Sequence, residues 1–128
     1  MTNSAIFESK YLEDDKILIT TILSNTLDKD GAKLVFEGVN KAIELNSGYK
    51  DFILDAGMVN DVTIASFGYL MKAFGVINKT AGYMIVVMPE DIVQTFMISN
   101  PEMFDFLAVF FNNDEAIEFI RSKRSGNE

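Results

Sequence analysis

The stretch from Asp51 to Pro89 constrains the fold more than any other part of this chain. It reads as an apolar run, a loop, an amphipathic segment and a second apolar run. Phe52, Ile53 and Leu54 end at Asp55 and Gly57, while Tyr83 to Met88 is continuously apolar, as in a strand buried on both faces of a parallel sheet. Between them Phe67, Leu70, Met71, Phe74 and Ile77 share one helical face. Two buried strands joined by a helix of this length imply a right-handed crossover. The loop from Met58 to Ala65 then lies at the C-terminal edge of a strand and the N-terminus of a helix. Open α/β sheets place their binding sites there.

The flanking segments extend this unit. Ala5 to Glu8 is expected to be a short first strand, with Tyr11 to Asp15 as its turn. Lys16 to Leu23, rich in β-branched residues, is expected to be the second, so the sheet is mixed. Ser24 to Asp28 is a polar break offering Thr26 and Asp28 as helix N-caps. Ala32, Val35, Phe36, Val39, Ala42 and Ile43 recur at helical spacing, and Asn46-Ser47-Gly48 closes that helix. Beyond Pro89, Glu90 to Ile98 suits a short helix that Asn100-Pro101 breaks. Phe106 to Phe111 is the last strand, and Asn112 or Asn113 caps a last helix with Ala116, Ile117 and Ile120 inward. The expected order is ββαβαβαβα over one domain, residues 1–128, with helices mainly on one face of a mixed sheet.

Composition narrows the chemistry. The chain contains neither histidine nor cysteine, which removes the commonest general base, the commonest metal ligand and all disulfides. A net charge of −8 argues against a sequence-independent nucleic-acid binder. The short basic end Arg121, Lys123 and Arg124 reads as a solvated helix C-terminus favoured by the macrodipole. Met1 to Lys10 lacks the apolar core of a signal peptide, and no run approaches membrane-spanning length. A cytoplasmic protein without membrane insertion is the expectation. Asp28, Asp55 and Asp61 stand near the strand ends, but nothing accompanies them that would make a metal or acid–base site, so capping and turn formation are expected of them. No cofactor is implied.

The order of elements, and several motifs within it, resemble the STAS domain of bacterial anti-sigma-factor antagonists. Leu27-Asp28, with Ala32 four residues after the Asp, is similar to the Leu-Asp-x-x-x-Ala signature that opens that family's first helix. The segment from Phe110 to Ile120 is similar to its last strand and helix. Residues Thr63 to Val87 align with the family pattern without a gap, Gly68 falling on its second glycine and Gly82 on the turn before the next strand. The resemblance spans nearly the whole chain.

One departure stands out. Antagonists of this family carry Asp-Ser-Ser-Gly at the start of the second helix, and a partner kinase phosphorylates the first Ser. Here the four places hold Thr63, Ile64, Ala65 and Ser66, so the acceptor position has no hydroxyl. A shifted alignment would bring Ser66 onto the acceptor, but it needs a two-residue gap and spoils the apolar stripe. The resemblance therefore implies a non-catalytic module that binds an anti-sigma factor or serine kinase, without the usual phosphorylation switch. Its contacts would be Asp28, Thr63, Ile64, Ala65, Ser66, Phe67 and Tyr69. From the residues alone, Thr63 caps the second helix or sits just before the cap, and Ser66 satisfies a backbone group or water, with phosphorylation of Ser66 or Thr63 as the alternative. Gly68, costly inside a helix by about 1 kcal/mol against Ala, points to close packing on the sheet or on a partner. Tyr69, Ala73 and Val76 give that helix a second apolar side, either a broad buried face or a patch for a partner helix or a homodimer. The other functional class is a small-molecule or lipid-handling accessory subunit, whose mark would be an apolar pocket between the last two helices and the sheet.

Overall fold

The computed structural model describes residues 7–77, 82–99, 101, 104 and 108–124. Its strands are β1 (Phe7–Leu12), β2 (Ile17–Ile22), β3 (Thr26–Leu27), β4 (Asp51–Asp55), β5 (Asp61–Val62), β6 (Met84–Val87) and β7 (Ala108–Phe110). The helices are α1 (Lys29–Leu45), α2 (Phe67–Ile77), α3 (Glu90–Ser99) and α4 (Asn113–Arg124), with a 3-10 turn over Ile64–Ser66 leading into α2. Five strands form one mixed sheet in the order β1-β2-β4-β6-β7, antiparallel only between β1 and β2. The β4–α2–β6 crossover expected from the apolar runs lies at its centre.

The period-two alternation of β2 and β4 divides the core between two faces. Leu18, Ile22, Phe52, Leu54 and Val86 meet Val35, Val39, Leu70, Ile92 and Phe96 from α1, α2 and α3. Ile17, Ile19, Ile53, Ile85 and Val87 meet Ala116 and Ile120 of α4 on the opposite face. Three helices thus share one side, as expected, and the apolar continuity of β4 and β6 follows from their burial on both.

The sequence reading shifts in three places. The first strand runs on through Tyr11 to Leu12, pairing to Ile17, and the turn is confined to residues 13–16, where Lys16 takes a φ of 56°. Polar Ser9 and Lys10 hid the strand because it lies at the sheet edge. The polar break before α1 contains β3, which pairs in parallel with β5, Thr26 opposite Asp61 and Leu27 opposite Val62. The basic end of α4 is engaged: Arg121 forms a bidentate pair with Asp15 (3.2 and 2.7 Å), and Arg124 reaches the buried carboxylate of Asp51 and the carbonyl of Asp15. Lys123 lies over the Phe119 ring at 5.5 Å. The last strand is described only over Ala108–Phe110; the expected start of the first strand at Ala5, the break at Asn100 and residues Phe106 and Leu107 lie outside the described residues.

Asp51, unremarked in the sequence, joins three elements. Its Oδ1 accepts from the Tyr83 N–H at 2.5 Å, and Arg124 of α4 meets Oδ2. A Cβ at Gly82 would collide with this carboxylate and with the Lys50 carbonyl, so the glycine before β6 is required by close approach.

Candidate functional site

The short β3–β5 ladder brings two helix starts together. Asn60 and Asp61 N–H groups donate to the Asn25 carbonyl (2.8 and 3.2 Å), and the Thr63 N–H donates to the Leu27 carbonyl (3.0 Å). Directly after these bonds the chain turns into α1 on one side and into the 3-10 turn on the other. Asp28 is the N-cap of α1, its Oδ1 accepting from the Gly31 N–H at 2.8 Å. Asp28, Thr63, Ile64 and Ala65 consequently lie in one region, at the heads of α1 and α2.

Within this region the candidate residues differ sharply in depth. Ile64 is 85% exposed, the most exposed large apolar side chain among the described residues. Ala65 and Gly68 are exposed beside it. Thr63 stands at the N-cap position of the 3-10 turn but does not cap it; its hydroxyl is directed at the Leu27 carbonyl, 3.5 Å away. Ser66 is fully buried, its hydroxyl donating to the Thr63 carbonyl at 2.6 Å. The expected partner contact at Ser66 is thus a hydroxyl that closes the turn and offers no surface. Phe67 points inward, its ring 5.2 Å from Phe96 of α3.

The second apolar side of α2 resolves toward packing. Tyr69 is half-buried with its ring 6.2 Å from Phe36 of α1, and Ala73, one turn on, is fully buried. The side chains of Phe74, Val76 and Ile77 lie outside the described ones. Gly68 does not pack on the sheet: a Cβ there would meet nothing within 4 Å. Among the described residues nothing packs against it to explain its cost within the helix, and the helix head presents bare backbone at that point.

Two lysines unforeseen in the sequence flank this face. Lys29, Ala65, Gly68, Tyr69 and Lys72 line a shallow concavity of about 250 Å³, and the Lys72 ammonium lies 5.1 Å from the Tyr69 ring centroid. These two lysines stand among exposed acids, with Asp28 and Asp30 on either side of Lys29 and Asp61 just before Thr63, so the region carries both signs of charge. The only available signal for Lys72 was its spacing from Tyr69; Lys29 gave none. Met58, half exposed in the preceding loop, adds a further apolar side chain at this end of the sheet.

Of the acids near the strand ends, Asp28 caps α1 and Asp55 holds a turn. Asp55 accepts from the Gly57 N–H (2.9 Å) and from the Asn113 amide (2.8 Å), while Asn112, not Asn113, caps α4 through the Glu115 N–H at 2.9 Å. Among the described residues no three acids converge as a metal would require. The interior apolar cavity lined by Leu27, Val59, Val62, Leu70, Ile92 and Phe96 measures about 20 Å³, room for one water. No helix among the described residues is long and apolar enough to cross a membrane.

No protein-family model and no curated protein sequence matches the chain. Solved structures do. A candidate anti-sigma factor antagonist from Thermotoga maritima is 23% identical, with a TM-score of 0.67 over 90% of this chain and 94% of that one. The anti-sigma factor antagonist SpoIIAA in its unphosphorylated form is 13% identical, with a TM-score of 0.63 over 90% and 97%. The Bacillus cell fate determinant SpoIIAA in its phosphorylated form is 14% identical, with a TM-score of 0.61 over 89% and 98%. At these identities the likeness is one of fold, and it extends over 89–90% of the chain. The chain has the STAS fold of the anti-sigma factor antagonists.

Proposed function

We propose that this protein is a non-catalytic regulatory module of the cytoplasm that binds a protein partner of the anti-sigma factor or serine kinase type, and that phosphorylation at the acceptor position does not control the binding. The observation that carries this reading is Ile64: an aliphatic side chain, 85% exposed, projects from the head of α2 where the related fold is expected to carry a phosphorylatable serine. Solvent-exposed isoleucine at a helix start is unfavourable in isolation, and burial in a partner's pocket would recover roughly 2 kcal/mol. Ala65 and Gly68 allow close approach beside it, and the mixed charges around it, Lys29 and Lys72 with Asp28 and Asp61, suit the polar rim of an interface.

The buried setting of Ser66 supports the same reading. A kinase needs the hydroxyl in solvent, whereas this one is enclosed and bonded to the Thr63 carbonyl. The small-molecule alternative has no comparable support: its pocket was expected between the last two helices and the sheet, but α3 and α4 pack on opposite faces, and the apolar cavity under α2 and α3 has room for one water.

The test is recovery of the tagged protein from its host with intact-mass measurement of the bait. An unmodified bait that brings down an ATPase-type kinase or an anti-sigma factor is the expected result, with Ile64→Asp losing the partner by tenfold or more in affinity, at least ~1.4 kcal/mol. A stoichiometric phosphate on Ser66 or Thr63, or full affinity retained by Ile64→Asp, overturns it.

A further inference from the structure

The outer edge of β1 carries a second feature, independent of the Ile64 face. β1 ends the five-stranded sheet, and its far side meets no other strand among the described residues. Which of its backbone groups point outward follows from the neighbouring ladder. The Lys16 carbonyl accepts from the N–H groups of Lys50 and Asp51, so it faces β4. Alternation then directs residues 17, 19 and 21 toward β1, where they pair with Leu12, Lys10 and Glu8. The N–H and C=O groups of Phe7, Ser9 and Tyr11 are left facing outward.

We propose that a second copy of this chain docks on this edge, β1 pairing antiparallel with the partner's β1 about a two-fold axis at Ser9. The register is selected by charge. Pleating permits only pairings that keep side chains on matching faces, and centring on residue 8 or 10 would set Glu8 against the partner's Glu8 or Lys10 against the partner's Lys10. Centring on Ser9 sets Glu8 opposite the partner's Lys10 and Lys10 opposite the partner's Glu8. These are non-hydrogen-bonded pairs, in which side chains approach most closely. Phe7 and the partner's Tyr11 exchange main-chain hydrogen bonds on either side of the axis. A lone lysine on an edge strand ordinarily guards against pairing; in this register it is neutralised.

The helix above the edge fits the same occupant. Leu34, Gly38, Lys41 and Leu45 form one stripe of α1, and the stripe overlies β1, since a Cβ on Gly38 would overlap the Phe7 ring. Leu34 and Leu45 are exposed, Leu45 by 73%, and among the described residues no further strand or helix lies beyond β1. Leu45 lines the same surface concavity as Ser9 and so stands beside the proposed axis. Two-fold pairing brings it near the partner's Leu45 and covers an apolar stripe that is otherwise wet.

Sedimentation of the full chain from micromolar to millimolar concentration tests this, with charge reversals as the decisive variants. The parent is expected to shift from monomer to dimer. Glu8→Lys or Lys10→Glu alone places like charges opposite each other twice and weakens dimerisation by about tenfold or more. The double reversal, Glu8→Lys with Lys10→Glu, restores it. Both positions are solvent-exposed, and circular dichroism checks that each variant is folded. A parent that stays monomeric throughout, leaving the edge to a strand of a different chain, overturns the proposal. So does a dimer that the single reversals leave intact, or one that the double reversal does not restore.

Discussion

Positions 64 and 66 are two residues apart, and an aspartate placed at each should have opposite consequences. At Ser66 the side chain is fully buried and its hydroxyl donates to the Thr63 carbonyl at 2.6 Å. Aspartate there removes a hydrogen bond, about 1 kcal/mol, and sets a carboxylate against a carbonyl oxygen that it cannot satisfy. The added atoms in a closed turn cost roughly 1–3 kcal/mol, and desolvating the charge costs several more unless the turn opens to water. The N-terminal end of α2 offsets about 0.3–1 kcal/mol of this. The net loss is about 4 kcal/mol, a large part of the ~5–15 kcal/mol available to a domain. At Ile64, 85% exposed, the same substitution should change stability by about 0.5 kcal/mol or less.

Urea unfolding monitored by circular dichroism reads both. With a slope of roughly 1.5 kcal/mol per molar, Ser66→Asp lowers the midpoint by about 2–3 M, while Ile64→Asp leaves it within about 0.3 M. Ser66→Ala, which loses the hydrogen bond without adding charge or bulk, falls between them at about 1 kcal/mol. A Ser66→Asp midpoint within about 0.5 M of the parent would refute the enclosed placement of that hydroxyl. The reasoning that separates Ser66 from the partner surface would fall with it.

Other outcomes follow from the far end of the sheet. Arg124→Ala strips the cation from an Asp51 side chain that is 4% exposed, and since the arginine itself is 32% exposed the cost is expected at the low end for a buried pair, about 2–3 kcal/mol, or 8–12 °C in Tm by calorimetry. A shift under about 2 °C refutes that pairing. At the β1–β2 turn, the hydrogen bonds from Arg121 hold the Asp15 carboxyl below its ordinary value, so its contribution is present above the ordinary carboxylate range and is lost as pH falls through the lowered folded value. Asp15→Asn should therefore be less stable than the parent at neutral pH and equal to it in strong acid. The gap should shrink with salt, because Arg121 is exposed and Asp15 is only partly covered; a gap that persists in acid contradicts the assignment.

What could be read from the sequence divides by the range of the signal. The β4–α2–β6 unit was legible because burial on both faces leaves a continuous apolar run and a helix between two such runs has one way to cross. The Asp28 cap was legible because capping acts over three residues. The β3–β5 ladder was not, since two residues per strand carry no periodicity, yet that ladder aligns the heads of α1 and α2 and so builds the candidate site. The depth of Ser66 was hidden for a related reason. The approach to α2 is a 3-10 turn, whose tighter winding turns Ser66 inward and leaves Ile64 in solvent, where the apolar-inside expectation would reverse the two. The partners of Arg121 and Arg124 lie more than seventy residues away, beyond any local pattern.

The two proposed surfaces constrain one another. The Ile64 face lies at the C-terminal ends of β4 and β5, while the β1 edge lies at the side of the sheet. Antiparallel pairing of β1 with the partner's β1 makes the parallel strands of the two copies run in opposite directions. The two Ile64 faces then point to opposite ends of a continuous ten-strand sheet, about the sum of two such sheets. Neither face is covered, so dimerisation leaves both sites open, and no single compact partner can span them. Partner binding should accordingly be independent at the two sites, without gain from avidity, and the charge reversals that dissociate the dimer should leave partner affinity unchanged. Were those reversals to weaken partner binding as well, the edge and the Ile64 face would have to belong to one surface, a placement that the geometry of β1 and α2 does not allow.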